Sequence, residues 1–338
     1  MSSTNKPSIP EHPDGETMKA VCFTAFGQDS EALSVQTIPK PFIETPEEVL
    51  IKVHAAALNP IDKLRVFGYL AGFIPEKHDT SILGYDVSGV VEKVGDEASK
   101  SFKVGDEVFV RLAGMKYGAL AEYVVCSVPE IAIKPSNLSF SEAASIPLAG
   151  LTALQALRTG GVKEGSKVFI PAGAGGVGSL AIQIAKKMLK ARYVCTTAST
   201  GVGTEICTKA GADRIVDYRA EKFEEVLQGE DFDMIFDTMC EAAKMGGLLG
   251  KGGKIISITG SPNADGAAEK VAKDAEGTWE FMFMHPSGAE LTEMAAFLES
   301  GDMIPFIDTE AESLEDFKVA VDKLISGRSK GKCVIKIV

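Results

Sequence analysis

The stretch of sequence that decides the fold is residues 167–180, KVFIPAGAGGVGSL. An apolar run at 168–170 is followed by Gly173, Gly175 and Gly178, spaced as G-x-G-x-x-G, and then by an apolar helical pattern. Glycines permit a sharp turn and let backbone N–H groups approach a pyrophosphate, and a helix N-terminus adds partial positive charge there. A plain strand-to-helix turn that needs glycine is the alternative. The flanking strand and helix favour dinucleotide binding.

Strands and helices alternate throughout this half of the chain. The apolar runs predict strands over residues 167–171, 192–197, 214–216, 233–237, 254–259 and 279–284. Helical patterns begin near Gly176, Thr204, Glu221 and Glu241. This alternation is typical of a parallel sheet that is covered by helices on both faces.

The first third of the chain has a different pattern. Short apolar segments fill residues 18–135, some of them alternating with polar residues as at 49–53, and Gly-Asp pairs such as 105–106 separate them. Several short strands at regular spacing favour a barrel or sandwich. Ser139 and Glu142 have the spacing of a capping box, which predicts a helix start.

The tail changes pattern again. It predicts helices near 288–299 and 313–325, with strands at 304–307 and 333–338. Those strands are too isolated to fold alone, so we expect them to return to the first domain. The resulting division is a loose leader at 1–17, a β-rich domain at 18–140, a nucleotide-binding domain at 141–286 and a return to the β-rich domain at 287–338.

Composition excludes several classes of protein. Of the 338 residues, 45% are apolar and 24% charged, which excludes a disordered chain. A net charge of −12 argues against nucleic-acid or anionic-membrane partners. The six cysteines form no C-x-x-C pair, which favours a reducing compartment. The leader is acidic and lacks an apolar signal core, so we expect the cytoplasm, with a plastid as the alternative.

One uncharged segment, 168–185, has almost the length of a membrane span. It contains Pro171 and four glycines, which a spanning helix of about 20 residues would accommodate poorly. We therefore predict no stable membrane span.

The cofactor type follows from the residues after the second strand of the alternating region. An NAD site usually has an acidic residue about 20 positions after the glycine turn, to bind the ribose 2′-hydroxyl. No Asp or Glu lies between Glu164 and Glu205, and the strand ends with Ser199 and Thr200. A carboxylate near a 2′-phosphate would cost on the order of 1–4 kcal/mol, so its absence favours NADPH over NADH.

Five segments in order carry a family resemblance: NPID at 59–62, GYDVSGVV at 84–91, GDEV at 105–108, GALAEY at 118–123 and AGGVG at 174–178. The chain resembles the medium-chain dehydrogenase/reductase superfamily, and within it the zinc-free quinone oxidoreductases, especially the plant alkenal/enone oxidoreductases. The resemblance implies a GroES-like catalytic domain, completed by the tail, beside a doubly wound Rossmann domain.

The resemblance also bears on zinc. Zinc-dependent members have Cys near the position of Asn59, His at that of Tyr85 and a further Cys near Leu148. None of these ligands is present here, so we predict no metal. Without a Lewis acid, reduction of a conjugated C=C–C=O is favoured over alcohol chemistry, because hydride can reach the β-carbon while the enolate spreads its charge onto oxygen.

The resemblance implies a set of cofactor contacts. They are Asn59, Thr152, Gly173, Gly175, Gly176, Val177, Gly178, Thr197, Ser199, Thr200, Tyr218, Thr259, Gly260 and Gly331. The family commonly has a lysine just after the Ser-Thr pair, where this chain has glycine-rich residues 201–203.

The catalytic group is less determined. Related enzymes have Tyr or Lys at the position of Leu64. Asn59 is expected at the nicotinamide or substrate, and Lys63, Tyr69, Tyr85 or water are the candidates for proton donor or oxyanion partner.

The sequence therefore predicts an NADPH-dependent oxidoreductase that reduces enals, enones or quinones without zinc. The alternatives are a non-catalytic NADPH-binding member of the same superfamily and a one-electron quinone reductase. The expected partner is a small-molecule substrate. A homodimer is possible if the apolar segment 281–284 lies at a sheet edge.

Overall fold

The computed structural model describes residues 9–72, 80–113, 117–260 and 266–338, which form two compact units. The first unit comprises the described residues through Leu148, together with Pro286–Glu299 and Ile307–Val338. The second comprises Ala149–His285 and Ser300–Phe306.

The strands, in chain order, are β1 Thr17–Phe23, β2 Ser34–Pro39, β3 Glu48–Leu58, β4 Ser81–Ile82, β5 Asp86–Val94, β6 Glu107–Arg111, β7 Tyr123–Ser127, β8 Ile131–Ile133, β9 Lys167–Ile170, β10 Tyr193–Ala198, β11 Arg214–Asp217, β12 Phe232–Asp237, β13 Leu249–Ser257, β14 Thr278–Phe281, β15 Ile307–Ala311 and β16 Lys332–Lys336.

The α-helices, in chain order, are α1 Pro60–Val66, α2 Phe140–Ala144, α3 Pro147–Thr159, α4 Gly176–Gln183, α5 Val202–Ala210, α6 Phe223–Val226, α7 Gly266–Asp274, α8 Gly288–Glu299 and α9 Phe317–Ile325. No helix in the described ranges is long and apolar enough to cross a bilayer. Residues 168–185 form a strand, a turn and a helix that continues into a π-turn.

The first unit is β-rich, as predicted. Its main sheet has the order β15-β16-β3-β5-β6-β8, with β7 also paired to β3, and a small sheet has the order β2-β1-β4. The tail strand β16 runs antiparallel to β3. β3 therefore lies between β16 and β5, which brings the first residues of two distant strands to its carboxyl end.

Close packing of β3 against β5 depends on Gly89. A Cβ at this position would lie 2.1 Å from the Lys52 carbonyl oxygen and 2.9 Å from Ile51 Cγ2. The absence of a side chain lets the two strands pair in the register that places Asp86 opposite Ala57, two residues before Asn59.

The second unit is a doubly wound α/β fold and confirms the predicted class. Its parallel strands have the order β11-β10-β9-β12-β13-β14, which is 3-2-1-4-5-6 in order along the unit. The glycine turn follows β9, the first strand. Residues 168–170 are fully buried, which explains their continuous apolar character.

Some predicted elements differ from the observed ones. The predicted strand at 304–307 is wrong, because β15 begins only at Ile307. The helix expected near Glu241 is a single 3₁₀ turn, Ala242–Lys244, and the Asp237 carboxylate accepts hydrogen bonds from the backbone N–H groups of Glu241 and Ala242. The capping box at Ser139 is confirmed.

The leader is also packed where it is described. Residues 1–8 lie outside the described residues. Of the remainder, Ile9 and His12 are buried, Glu16 pairs with Lys40 at 3.0 Å, and Thr17 begins β1. Residues 9–17 are therefore packed against the first unit, whereas their acidity had suggested a loose segment.

Candidate active site

A buried polar cluster lies in the first unit where β3, β5 and β16 meet. Asn59 follows β3, Asp86 begins β5 and Lys332 begins β16. The Lys332 ammonium donates to Asn59 Oδ1 at 2.5 Å and to Asp86 Oδ2 at 3.2 Å. Asn59 Nδ2 donates to the same Asp86 oxygen at 2.9 Å. Three segments far apart in sequence thus share one network, which we call the Asn59–Asp86–Lys332 cluster.

Burial makes this cluster energetically important. Asp86 is 0%, Asn59 2% and Lys332 6% exposed. The second Asp86 oxygen, Oδ1, accepts from the Leu148 backbone N–H at 2.8 Å, so both oxygens have partners. A buried ion pair tolerates desolvation only when its remaining polar atoms are also satisfied. The cluster therefore holds Asn59 in a single amide orientation.

Asp62 organises the start of α1. Its Oδ2 accepts from the Asn59 backbone N–H at 2.8 Å, and Pro60 occupies the first helical turn. This explains the residue types in NPID, since proline suits the first turn and an acid at N3 completes a capping box. Asp62 Oδ1 is buried and has no hydrogen-bond partner among the described residues, and burial raises the pKa of this carboxyl from 3.8 to about 6.

Tyr85 contacts two buried guanidinium groups. Its ring centroid is 5.3 Å from Arg65 Cζ and 5.0 Å from Arg111 Cζ, and the residue is 3% exposed. Tyr69, by contrast, is 64% exposed and packs edge-on against Phe67. Among the predicted catalytic residues, Asn59 and Tyr85 lie in or beside the buried polar region.

Lys63 lies on α1 and is partly buried. It belongs to the same helix as Asp62 and shares with it the lining of a cavity of about 10 Å³, which is otherwise formed by Asp29 and apolar side chains such as Leu83. The volume suits about one water molecule and no substrate.

In the second unit, the glycine turn is closely packed. A Cβ at Gly178 would lie 2.3 Å from the Ala172 carbonyl oxygen, and one at Gly173 would lie 2.1 Å from Thr196 Oγ1. Gly175 caps α4 without a side chain, and Gly176 and Val177 open the helix. The N-terminus of α4 has no side-chain cap, and the turn before it consists of glycine and alanine. This arrangement leaves room for a pyrophosphate.

Thr197 fixes this turn. Its hydroxyl oxygen accepts from the Ala172 N–H at 2.9 Å, and its carbonyl accepts from the Gly173 N–H at 3.0 Å. Thr197 is 5% exposed. The structure thus shows this predicted cofactor contact supporting the turn.

Asp217, the last residue of β11, lies beside the end of β10 and is an acid that the sequence analysis missed. Thr200 donates to Asp217 through its hydroxyl and, at 3.2 Å, through its backbone N–H. The Thr200 hydroxyl bond lowers the pKa of Asp217. Ser199 beside it is 4% exposed. Parallel pairing of Ala198 with Asp217 brings this acid to the strand end.

The two residues after Asp217 are an exposed tyrosine and an exposed arginine. Tyr218 is 55% exposed, and Arg219 Cζ lies 5.9 Å from its ring centroid. The Arg219 backbone N–H donates to Asp217 Oδ1 at 3.0 Å.

The remaining predicted contacts are distributed over both units. In the second unit, Thr152 on α3 is buried, and Thr259 and Gly260 follow β13 at the carboxyl edge of the sheet. The Thr259 hydroxyl is buried and unbonded within the described structure, which fits a polar ligand there. In the first unit, Gly331 has φ +102° and leads directly into Lys332.

One group of possible metal ligands occurs within the described ranges. His12, Asp14 and Glu16 each offer an atom within 4.8 Å of the others. His12 Nδ1 already accepts from the Asp14 N–H at 3.1 Å, and Glu16 pairs with Lys40, so these groups are engaged within the chain.

Comparison with known proteins places the chain in a family. Residues 45–136 match the alcohol dehydrogenase GroES-like domain, and residues 210–335 match a family described as zinc-binding dehydrogenase. The chain is 36% identical over 326 residues to 2-methylene-furan-3-one reductase of Solanum lycopersicum, covering 94% of this chain and 79% of that protein. The chain belongs to the medium-chain dehydrogenase/reductase superfamily.

Other relatives agree with this assignment. The NADPH-dependent alkenal/one oxidoreductase, chloroplastic, of Arabidopsis thaliana is 35% identical, with 86% of this chain and 72% of that protein covered. The solved quinone oxidoreductase from Coxiella burnetii is 32% identical, with a TM-score of 0.83 over 96% of this chain and 100% of that chain. The protein is therefore an oxidoreductase of a family that uses nicotinamide cofactors and includes enone and quinone reductases, and the first unit has the predicted GroES-like fold.

The buried ion pair yields a stability prediction. Lys332→Met leaves the Asp86 carboxylate buried without its cation and should lower the free energy of unfolding by about 3–5 kcal/mol. Adding Asp86→Asn removes the stranded charge, so the double variant should be more stable than Lys332→Met alone. Urea unfolding followed by circular dichroism measures both. The exposed pair Lys19–Glu315 is the control, and Lys19→Met should unfold as wild type does. Equal losses for the two lysine variants would contradict a central role for the cluster.

Asp62 yields a pH prediction. Because its folded-state pKa of about 6 exceeds its ordinary value of 3.8, the native state binds the proton more tightly. The stability contributed by Asp62 should therefore be lost as the pH rises from 4 to 6, by on the order of 2–3 kcal/mol. Asp62→Asn keeps a hydrogen-bond acceptor without the titration. Its stability relative to wild type should rise across this window, and a constant difference from pH 4 to pH 7 would refute the assignment.

Proposed function

We propose that the protein is an NADPH-dependent reductase that transfers hydride to the β-carbon of α,β-unsaturated carbonyls, or to quinones, without zinc. The observation that carries this proposal is the Lys332 ammonium bound by Asn59 and Asp86. Asn59 stands where zinc-dependent relatives have a cysteine ligand. The chain therefore supplies its own cation next to that position.

The residue types around the cluster support the zinc-free part of the proposal. The negative charge of Asp86 is already balanced by Lys332, and its oxygens accept from Asn59 and Leu148 N–H groups. Thiolate and imidazole ligands, which zinc prefers, do not occur at Asn59, Tyr85 or Leu148.

Enone reduction suits a site of this kind. The nicotinamide, when bound, supplies the hydride. The enolate formed on the substrate carries its charge on oxygen, where hydrogen-bond donors can stabilise it without a Lewis acid. Asn59 is held rigidly enough by Asp86 and Lys332 to orient a cofactor or substrate amide or carbonyl. Tyr85, Lys63 and Tyr69 remain the candidate proton donors.

The second unit supports NADPH, with a changed set of contacts. The Thr200 hydroxyl donates a hydrogen bond to Asp217. In this conformation it can therefore only accept a hydrogen bond from a further group and cannot donate to a phosphate. Ser199, Tyr218 and Arg219 remain to bind a 2′-phosphate, and Arg219 supplies the cation that the glycine-rich residues 201–203 lack. We propose that these three residues outweigh the unfavourable charge of Asp217.

We also propose that the protein is cytoplasmic and forms a homodimer. A homodimer would be built on the exposed edge of β14, where the neighbouring Phe283 is 72% exposed.

A substrate panel tests the proposed function. NADPH oxidation should be fast with short enals and enones or with quinones, and slow with saturated ketones and aldehydes. Products should be the saturated carbonyls, whereas semiquinone radicals would indicate one-electron chemistry. Tight NADPH binding without turnover of any member of the panel would refute the proposal and favour a non-catalytic role.

Arg219 yields a cofactor prediction. Arg219→Ala should lower kcat/KM for NADPH about tenfold and leave that for NADH unchanged, because only the phosphate contact is lost. Arg192→Ala is the matched control, because Arg192 lies just before the first residue of β10, at the end of the strand away from Thr200. Steady-state kinetics with both cofactors measures the ratio. An equal loss with NADPH and NADH would show that Arg219 does not read the phosphate.

A further inference from the structure

Arg111 is a buried cation whose hydrogen-bonding capacity is largely unused. It is 9% exposed. Its Nη1 donates to the Leu112 carbonyl at 2.8 Å, whereas its Nε is buried without a hydrogen-bond partner in the described part of the chain. No hydrogen bond of Nη2 occurs among the described residues. The Nε–Nη2 edge is the side of a guanidinium that can form two parallel hydrogen bonds to one acceptor group.

The backbone places this edge beside the candidate active site. Arg111 is directly opposite Asp86 in the antiparallel pair β5–β6, so the two side chains lie on the same face of the sheet. The guanidinium also stacks on Tyr85, with 5.0 Å between Cζ and the ring centroid. Arg111 therefore shares a face with the carboxylate that holds Asn59.

Three acids lie near Arg111, and none of them bonds to it among the described residues. Asp86 binds Lys332 and Asn59, and Asp62 binds the Asn59 backbone through Oδ2 while its Oδ1 makes no hydrogen bond there. Glu130, the third, accepts from the backbone N–H groups of Ala113 and Ser127, at 2.6 and 3.3 Å. No ion pair joins Arg111 to any of them in the described structure. The positive charge is thus buried near acids but forms no ion pair with any described residue, which is an unfavourable arrangement in the absence of a ligand.

Arg65 shows what a structural guanidinium looks like in the same place. It stacks on the same Tyr85 ring and on Phe23, and its Nη1 lies 3.5 Å from the Ile82 carbonyl oxygen. It is buried to a similar degree. The orphaned Nε distinguishes Arg111 from it.

We propose that the Nε–Nη2 edge of Arg111 binds the carbonyl oxygen of the substrate and stabilises the negative charge that develops there. This inference rests on the proposed function. As hydride adds to the β-carbon, the C=C π pair moves to form the new C=C of the enolate, and the carbonyl π pair becomes the charge on oxygen. Arg111 keeps its protons throughout, because a guanidinium is too weak an acid to release one. A proton from another donor then adds at the α-carbon and gives the saturated carbonyl.

This role differs from ground-state binding. A neutral enone gives Arg111 only a weak partner, whereas the enolate gives it a full negative charge, so the interaction strengthens toward the transition state. It also accounts for Leu64, because the oxyanion donor that related enzymes have at that position is supplied here from β6.

The test compares Arg111→Gln, Arg111→Lys and the control Arg65→Lys. With an enone that the wild type reduces, Arg111→Gln should lower kcat about 100- to 1000-fold with less than about a threefold change in KM. Arg111→Lys should recover part of kcat, since it restores the charge without the paired donors. Arg65→Lys should retain kcat near the wild-type value. Circular dichroism and thermal melting establish that each variant is folded.

A binding measurement removes the dependence on turnover. Crotonate and crotonamide have similar shapes and differ in the charge on oxygen. Calorimetry on the protein saturated with oxidised cofactor should show that the wild type binds crotonate about tenfold more tightly than crotonamide. Arg111→Gln should abolish this preference.

The outcomes separate the two proposals. Enone reduction by the wild type with an unchanged kcat in folded Arg111→Gln would overturn the role of Arg111 and leave the proposed function intact. If the wild type reduces no enone, the function fails, and the crotonate preference still decides whether Arg111 binds an anionic oxygen. If Arg111→Gln does not fold, an absent preference in the wild type, or equal kcat in Arg111→Lys and wild type, overturns the inference.

Discussion

The ion pair between Lys332 and Asp86, closed by the Asn59 amide, is the interaction on which the rest of the first unit depends. It joins the end of β3, the start of β5 and the start of β16, and it is almost completely inaccessible to water. Such a pair contributes little net stability over an apolar replacement, yet losing one partner is costly. Its main consequence is positional. Asn59, Asp62 and the first turn of α1 can adopt only one arrangement while the pair is intact.

In the second unit, the packing and hydrogen bonding of the backbone at the glycine turn matter more than charged side chains. The glycine turn after β9 packs against Thr196 and is hydrogen bonded by Thr197, so β10 sets the shape of the turn. The next strand then adds Asp217, whose carboxylate engages Thr200 at the end of β10. The proposed recognition of a 2′-phosphate would therefore depend on a balance between this acid and the cation of Arg219, with no single residue deciding it.

The sequence predicts the fold class well because its signals are local. The glycine turn, the capping box at Ser139 and the buried run at 168–170 each depend on neighbours within a few residues, and the structure confirms all three. The site is harder to predict because its partners are remote. Asp86 and Lys332 are 246 positions apart, and no local pattern indicates their contact.

Other misses have the same physical origin. Asp217 lies outside the window searched after the glycine turn, and only the register of β10 with β11 brings it to Thr200. Arg111 ends an ordinary apolar strand, β6, and becomes notable only when its burial and its unbonded Nε are known. The acidity of residues 9–17 suggested a loose segment, whereas Ile9 and His12 within it are buried.

The most direct test of the account is the zinc content of purified protein, measured by atomic absorption alongside NADPH-dependent enone reduction before and after exhaustive chelation. The account predicts substoichiometric zinc and undiminished turnover, because the chain's own ammonium serves as the cation beside Asn59. One zinc per chain whose removal abolishes turnover would contradict it.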